Sequence, residues 1–266
     1  MDLLHIIVLA VLQGLTEFLP VSSSGHLILP AQLLGWQDQG LAFDVAIHMG
    51  TLTAVIAYFR QDIALLIRDW AGSLTGKRKT PHSRMAWFVG FATIPAIAFG
   101  LYIKKTGVDD DLRTLAVITA TTLIFGALLG VADHFSKRTV ALDKMTFRQA
   151  MVIGFAQALS LIPGTSRSGI TMTAALMLGF TREAAARFSF LLSIPVILGA
   201  GTLLTVDLFS SPVPVDWGAM TIGALISGIS AMGCIHLFLG IINRMGLMPF
   251  VIYRLALGLV LLLFLL

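Results

Sequence analysis

The sequence predicts an all-α polytopic membrane protein with six transmembrane helices and two re-entrant helical hairpins, arranged as an inverted-topology repeat. Composition is the first reason: 57% of the 266 residues are hydrophobic and 12% charged, and mean hydropathy is +0.90, far from the balance of a soluble domain. The second is a series of apolar runs of about 20 residues, the length that crosses a hydrocarbon core. The third is an interrupted segment that occurs twice. Gln13-Gly-Leu-Thr-Glu-Phe-Leu-Pro-Val-Ser-Ser-Ser-Gly25 returns 144 positions later as Gln157-Ala-Leu-Ser-Leu-Ile-Pro-Gly-Thr-Ser-Arg-Ser-Gly169. Without a gap, Gln13, Leu15, Ser22, Ser24, Gly25, Ala31, Leu34 and Gly35 fall on Gln157, Leu159, Ser166, Ser168, Gly169, Ala175, Leu178 and Gly179.

The spans fall near 41 to 59, 85 to 103, 114 to 132, 186 to 206, 217 to 239 and 249 to 266, the last only marginally long enough to cross. Segments 1 to 36 and 148 to 180 are equally apolar, but Pro, Ser and Gly cut each into halves too short to span. Such backbone is tolerated at membrane depth only inside protein or along a wet cavity, so a re-entrant hairpin is expected for each. Nothing divides the chain, so residues 1 to 266 form one integral membrane domain with repeats of about 1 to 133 and 146 to 266. The first apolar stretch has no Lys or Arg before it and no small-residue cleavage site, so it is expected to belong to the mature fold.

Loop charge sets the orientation. Arg60, Arg68, Lys77, Arg78, Lys79 and Arg84 mark one cytoplasmic loop, and Lys137, Arg138, Lys144 and Arg148 another. The mixed loop with Asp109, Asp110 and Asp111, and the loop from Asp207 to Asp216, face out. Three spans separate the hairpins, so they enter from opposite faces. The net charge of +4 belongs to these loops, and with no soluble basic face nucleic acid is not an expected partner. The lone Cys234 excludes an intrachain disulfide and reads as small-residue packing. Trp36, Trp87, Tyr102 and Trp217 read as interfacial anchors.

The first break carries acid and imidazole. Gln13 and Glu17, four apart, share a helix face. An intramembrane carboxylate costs about 2.5–3.5 kcal/mol on insertion scales and implies a partner. His26, Arg167 and a divalent cation are the candidates for Glu17; a water-facing Glu at headgroup level is the plainer reading. Ser22, Ser23 and Ser24 precede Gly25 and a half-helix whose free N–H groups suit phosphate. Ordinary capping would account for one of these serines. His26, three residues after Ser23, could share its face as the base of an activated nucleophile.

The second break replaces acid and imidazole with Arg167, a planar fork matched to phosphate oxygens. Thr165, Ser166 and Ser168 add hydroxyls, while Gly164 and Gly169 allow close approach. Arg167 could also serve as counter-ion to Glu17, and the two roles are compatible. If the tips meet, acid, base, hydroxyl and guanidinium surround one buried point. His48 and Arg187, within or beside spans, could support the site from behind, but helix anchoring is the plainer reading.

These motifs closely resemble those of the bacterial undecaprenyl-diphosphate phosphatases, the bacitracin-resistance proteins. The likeness rests on Gln13-x-x-x-Glu17 through His26 and on Pro163-Gly-Thr-Ser-Arg-Ser-Gly169, and extends to Phe188–Pro195 and Pro249-Phe-Val-Ile-Tyr-Arg254. The resemblance implies hydrolysis of undecaprenyl diphosphate to the monophosphate carrier of peptidoglycan precursors, in the bacterial inner membrane. It implies an outward-facing site, often in a dimer, and a divalent metal, magnesium before calcium, on Glu17 and Gln13. By matching position, Ser23 is the nucleophile, His26 the catalytic histidine and Arg167 the phosphate-binding arginine, with Gln13, Ser22, Ser24, Gly25, Thr165, Ser166, Ser168 and Gly169 around the substrate. Two departures stand out: Gln13 removes a metal-binding charge, and Ser24 stands where close relatives have Thr. Direct attack by water on the same residues is the alternative to Ser23. Broken helices in inverted repeats also suit a secondary transporter or flippase of a lipid phosphate. Glu17 and His26, however, face Leu161 and Ile170 in the second copy, an asymmetry that favours chemistry.

Overall fold

The computed structural model describes residues 2–37, 39–76, 80–209 and 215–265, apart from the side chains of residues 109, 110, 207 and 209. Lys77, Arg78 and Lys79 of the basic loop, residues 210–214 of the outer loop and Leu266 of the last span lie outside the described residues, as do the side chains of Asp109, Asp110 and Asp207.

The first half contains α1 (Leu3–Thr16), α2 (Ser23–Leu34), α3 (Leu41–Tyr58), α4 (Arg60–Leu74), α5 (Pro81–Thr106), the short α6 (Asp109–Leu112) and α7 (Leu115–Phe135). The second contains α8 (Phe147–Ala158), α9 (Arg167–Met177), α10 (Arg182–Phe209), α11 (Trp217–Met245) and α12 (Met248–Leu263). Capping boxes start α5 at Thr80 and Ser83 and α8 at Thr146 and Gln149, each satisfying two N–H groups that a helix start leaves unpaired.

Five helices among the described residues are long and apolar enough to cross a bilayer: α3, α5, α7, α10 and α11. They coincide with five of the six predicted spans. The sixth, α12, has 16 residues and rises only about 24 Å at ~1.5 Å per residue, less than a hydrocarbon core of about 30 Å. The cytoplasmic loop from 60 to 84 holds an unpredicted helix, α4, because a scan for apolar length passes over an amphipathic segment. Its apolar Ile63, Leu66 and Ile67 line a groove with α5 and α10.

Each interrupted segment consists of two short helices around a break, an irregular turn at residues 17–22 in the first and a 3₁₀ turn, Leu159–Leu161, followed by an irregular stretch to residue 166 in the second. Partners are exchanged between the halves: α1 packs on α11, and α8 on α5. Likewise α3 packs on α11, and α10 on α5.

Small residues allow these approaches, since packing between helices in lipid depends on contact distance. A Cβ on Gly14 of α1 would lie 2.5 Å from Ser230 Cβ and 2.6 Å from the Ser227 carbonyl of α11. One on Gly50 of α3 would collide with the Ala224 carbonyl and Ser227 Oγ. One on Gly154 of α8 would meet the Ala92 carbonyl of α5. Gly50→Ala would gain at most about 1 kcal/mol of helix propensity but force backbone apart at overpacking costs of about 1–3 kcal/mol. A lower thermal midpoint in detergent is therefore expected. Cys234 packs between α11 and α1, its thiol donating to the Leu15 carbonyl at 3.2 Å.

A buried ion pair ties the ends of several helices together. Arg182 donates to both carboxylate oxygens of Asp133, at 2.6 and 2.9 Å, and Asp133 also accepts the Leu247 N–H at the start of α12. This joins α7, α10 and α12.

Candidate active site

Both half-helices at the breaks begin in the same unusual way. Ser22 and Ser166 hold positive φ angles of 77° and 71°, a conformation that costs a non-glycine residue about 1–3 kcal/mol. Each serine is an N-cap: Ser22 Oγ accepts the Gly25 N–H at 3.4 Å, and Ser166 Oγ accepts the Gly169 N–H at 3.1 Å. Each also pairs with the hydroxyl two residues on, Ser24 or Ser168, at 3.3 Å. Ser23, the first residue of its half-helix, turns back across its own break, whereas Arg167, the first residue of the other, reaches into the first break.

Those two residues meet at Glu17. Ser23 Oγ donates to Glu17 Oε2 at 2.7 Å, and Gln13 Nε2 donates to the same oxygen at 3.0 Å. Arg167 donates to Glu17 Oε1 at 2.9 Å and to the Glu17 carbonyl at 3.3 Å. The ion pair is buried, with side-chain exposures of 10% for Arg167 and 7% for Glu17. The hairpins are fastened again by Ser168 Oγ, which donates to the Leu19 carbonyl at 2.7 Å. The Arg167 guanidinium lies 5.9 Å from the centre of the Phe18 ring.

One of the predicted relationships comes out differently. His26 is buried near Ser23, but its ring nitrogens engage other groups: Nδ1 lies 2.7 Å from the Ser22 carbonyl and Nε2 2.6 Å from Tyr253 Oη. The hydroxyl of Ser23 is turned to Glu17 instead. His48, read as a helix anchor, has Nδ1 2.7 Å from the Asp44 carbonyl one turn earlier in α3. With Ser24, Asp44 and Arg113 it lines a pocket of about 320 Å³ between α2, α3 and the start of α7. Of the predicted phosphate-cradle groups, Ser22, Ser166 and Ser168 are occupied in holding the breaks, while Ser24 is exposed. Thr165 Oγ1 is buried without a hydrogen-bond partner.

The sequence reading gave no role to the most deeply buried cation among the described residues. Arg254 of α12 has no exposed surface and donates only to carbonyls: Pro20 at 3.3 Å in the first break, Gly164 at 2.8 Å and Thr165 at 3.0 Å in the second, and Thr121 and Thr122 of α7 at 3.4 Å. Gly126 leaves room for its stem, since a Cβ there would lie 3.0 Å from Arg254 Cβ. The signal available in sequence was an arginine inside an apolar run.

The donors at Glu17 suit a divalent cation held partly by substrate. Gln13 Oε1 is a buried carbonyl oxygen without a hydrogen-bond partner, and its own amide joins it to the Glu17 carboxylate. Magnesium typically takes one or two carboxylates and completes its octahedron with phosphate oxygens and water. Among the described residues no three His, Cys, Asp or Glu cluster into a protein-only metal site.

Fold and site define a polytopic helical membrane protein in which a buried acid, a hydroxyl and a guanidinium meet where two broken helices touch. The chain belongs to the bacitracin resistance protein BacA family, whose model matches residues 6–260. It is 58% identical over 262 residues to the undecaprenyl-diphosphatase of Chromohalobacter salexigens, covering 98% of each chain. It is also 58% identical over 264 residues to the undecaprenyl-diphosphatase of Alteromonas mediterranea, covering 99% of each.

Proposed function

We propose that this protein is an undecaprenyl-diphosphatase, releasing the terminal phosphate of undecaprenyl diphosphate and returning the monophosphate carrier to cell-wall synthesis. The observation that carries the reading is the joint engagement of Glu17 by Ser23 from one break and by Arg167 from the other. Relatives bearing that activity in their names match nearly the whole chain.

In the proposed reaction Arg167 leaves Glu17 Oε1 for the terminal phosphate, neutralising charge where it develops. The freed carboxylate takes the proton of Ser23 Oγ. That oxygen forms a bond to the terminal phosphorus as the bridging oxygen departs with its electron pair, giving undecaprenyl phosphate. Water then attacks the Ser23-linked phosphorus with His26 as the base for this second step; the Oγ–P bond breaks, Oγ recovers its proton from Glu17, and inorganic phosphate leaves. Glu17 and Gln13 Oε1 would hold the metal, magnesium before calcium, which when bound neutralises diphosphate charge. Ser24, Thr165 and the pocket containing His48 and Arg113 border the substrate.

We place the protein in the bacterial inner membrane with the site open to the outer face. The reading is supported by the pocket beside Ser24, whose walls come from helix ends assigned outward by loop charge. Opposed entry of the two hairpins and assembly as a homodimer belong to the same proposal.

The test is magnesium-dependent phosphate release from undecaprenyl diphosphate by purified wild type and by folded Ser23→Ala, His26→Ala and Arg167→Ala. Losses of about 10²-fold or more are expected. No release by the wild type, or equal release by all four, would overturn the reading. Rapid quenching is expected to trap phosphate on Ser23; failure to do so would favour direct attack by water.

A further inference from the structure

The chemistry assigned above to His26 depends on which ring nitrogen carries the proton, and the surroundings of the ring decide this. Nδ1 faces the Ser22 carbonyl at 2.7 Å. A carbonyl oxygen only accepts, so Nδ1 must be the protonated nitrogen. In the neutral ring the proton is therefore absent from Nε2, which presents a lone pair. The hydroxyl of Tyr253 lies 2.6 Å from that lone pair, and the two rings are nearly parallel, inclined by 14° with centroids 5.7 Å apart. His26 is 7% exposed whereas Tyr253 is 45% exposed. The phenol thus stands between the imidazole and the outside of the fold.

We propose that Tyr253 is a positioning residue of the phosphatase, acting through His26. Its hydroxyl donates to Nε2, stabilises the Nδ1–H tautomer and fixes the plane of the ring. The Ser22 carbonyl alone would orient one edge and leave the other to whatever water enters. A ring clamped at both nitrogens keeps its basic lone pair directed along one line, and the hydroxyl can yield its place to an incoming water without rotation of the imidazole. The neighbouring Arg254 grips both breaks, so consecutive residues of α12 fix the backbone of the site and the orientation of its histidine. This role rests on the phosphatase reading, but the contact itself can be observed without turnover.

Tyr253→Phe keeps the stacked ring and removes only the donor. Expected is a fall in kcat of about tenfold, the effect of losing one hydrogen bond, with KM unchanged. In ¹⁵N-histidine-labelled protein, the His26 signals, assigned by their absence in His26→Gln, should report a proton on Nδ1 in both proteins, held by the Ser22 carbonyl, and a hydrogen bond to Nε2 that shifts its resonance in the wild type and is lost in Tyr253→Phe. Wild-type kcat in Tyr253→Phe, or a neutral wild-type His26 protonated at Nε2, would overturn the proposal. The predicted loss of the Nε2 hydrogen bond in Tyr253→Phe, together with a wild type that releases no phosphate, would instead overturn the phosphatase reading and leave the clamp standing.

Discussion

Glu17→Gln should abolish phosphate release almost completely, with a loss of about 10²–10⁴-fold in kcat, the range for removing a positioned acid–base group. The substitution keeps shape and hydrogen-bonding capacity but not charge or polarity pattern. Glu17 accepts from three donors, Gln13, Ser23 and Arg167. A glutamine side chain offers one oxygen and one NH₂; Ser23 and Gln13 can turn an acceptor toward the NH₂, but Arg167 cannot. If the NH₂ lies toward Arg167, the guanidinium is left buried beside a donor. Breaking a buried pair from one side typically costs about 3–5 kcal/mol, and a depressed thermal midpoint in detergent should accompany the kinetic loss. Inorganic phosphate should restore part of that midpoint, because an anion binding only the folded state stabilises it by mass action. Loss of activity with an unchanged midpoint would mean that Arg167 does not depend on Glu17 in the free protein.

Arg254→Met should have the largest effect on stability. Methionine fills a similar elongated volume but leaves the carbonyls of Pro20, Gly164 and Thr165 without the donor they share. Each unsatisfied buried acceptor costs about 1–3 kcal/mol; even with partial relaxation, a loss of roughly 3–5 kcal/mol is expected. Arg254→Lys should recover only part, since an ammonium cannot reproduce the planar fork that spans two breaks. Thermal unfolding followed by tryptophan fluorescence in detergent gives the order wild type, Lys, Met. Equal midpoints for all three would show that α7 and α12 pack independently of the arginine.

The polar cast at Glu17 was legible because ionisable and hydroxyl residues are conspicuous in an apolar chain. Gln13, Glu17, Ser23 and Arg167 could be named from their types and from the repeated break. Their pairing was not legible in the same way. Three-residue spacing suggested Ser23 and His26 as partners, but the positive φ at Ser22 turns Ser23 toward Glu17 while His26 folds back onto the Ser22 carbonyl. Tyr253 and Arg254 escaped assignment because their partners lie far away in sequence: His26 for the tyrosine, and carbonyls that no side-chain pattern reveals for the arginine. The five long spans were visible as apolar length. Helix α4 was not, because its apolar residues recur on one face among charges, and α12 is too short to settle by hydropathy alone.

The position of Arg254 in the chain also orders events in time. Both breaks are synthesised before it, the second by 90 residues or so at the ribosome's usual pace of about 5–20 residues per second. Until α12 is threaded into the bilayer, the carbonyls of Pro20, Gly164 and Thr165 have no latch, however completely the earlier helices have inserted. The polar centre is therefore set late in biogenesis, and a nascent chain passes through an interval in which its membrane-embedded carboxylate and guanidinium are present but the backbone that aims them is still unfastened.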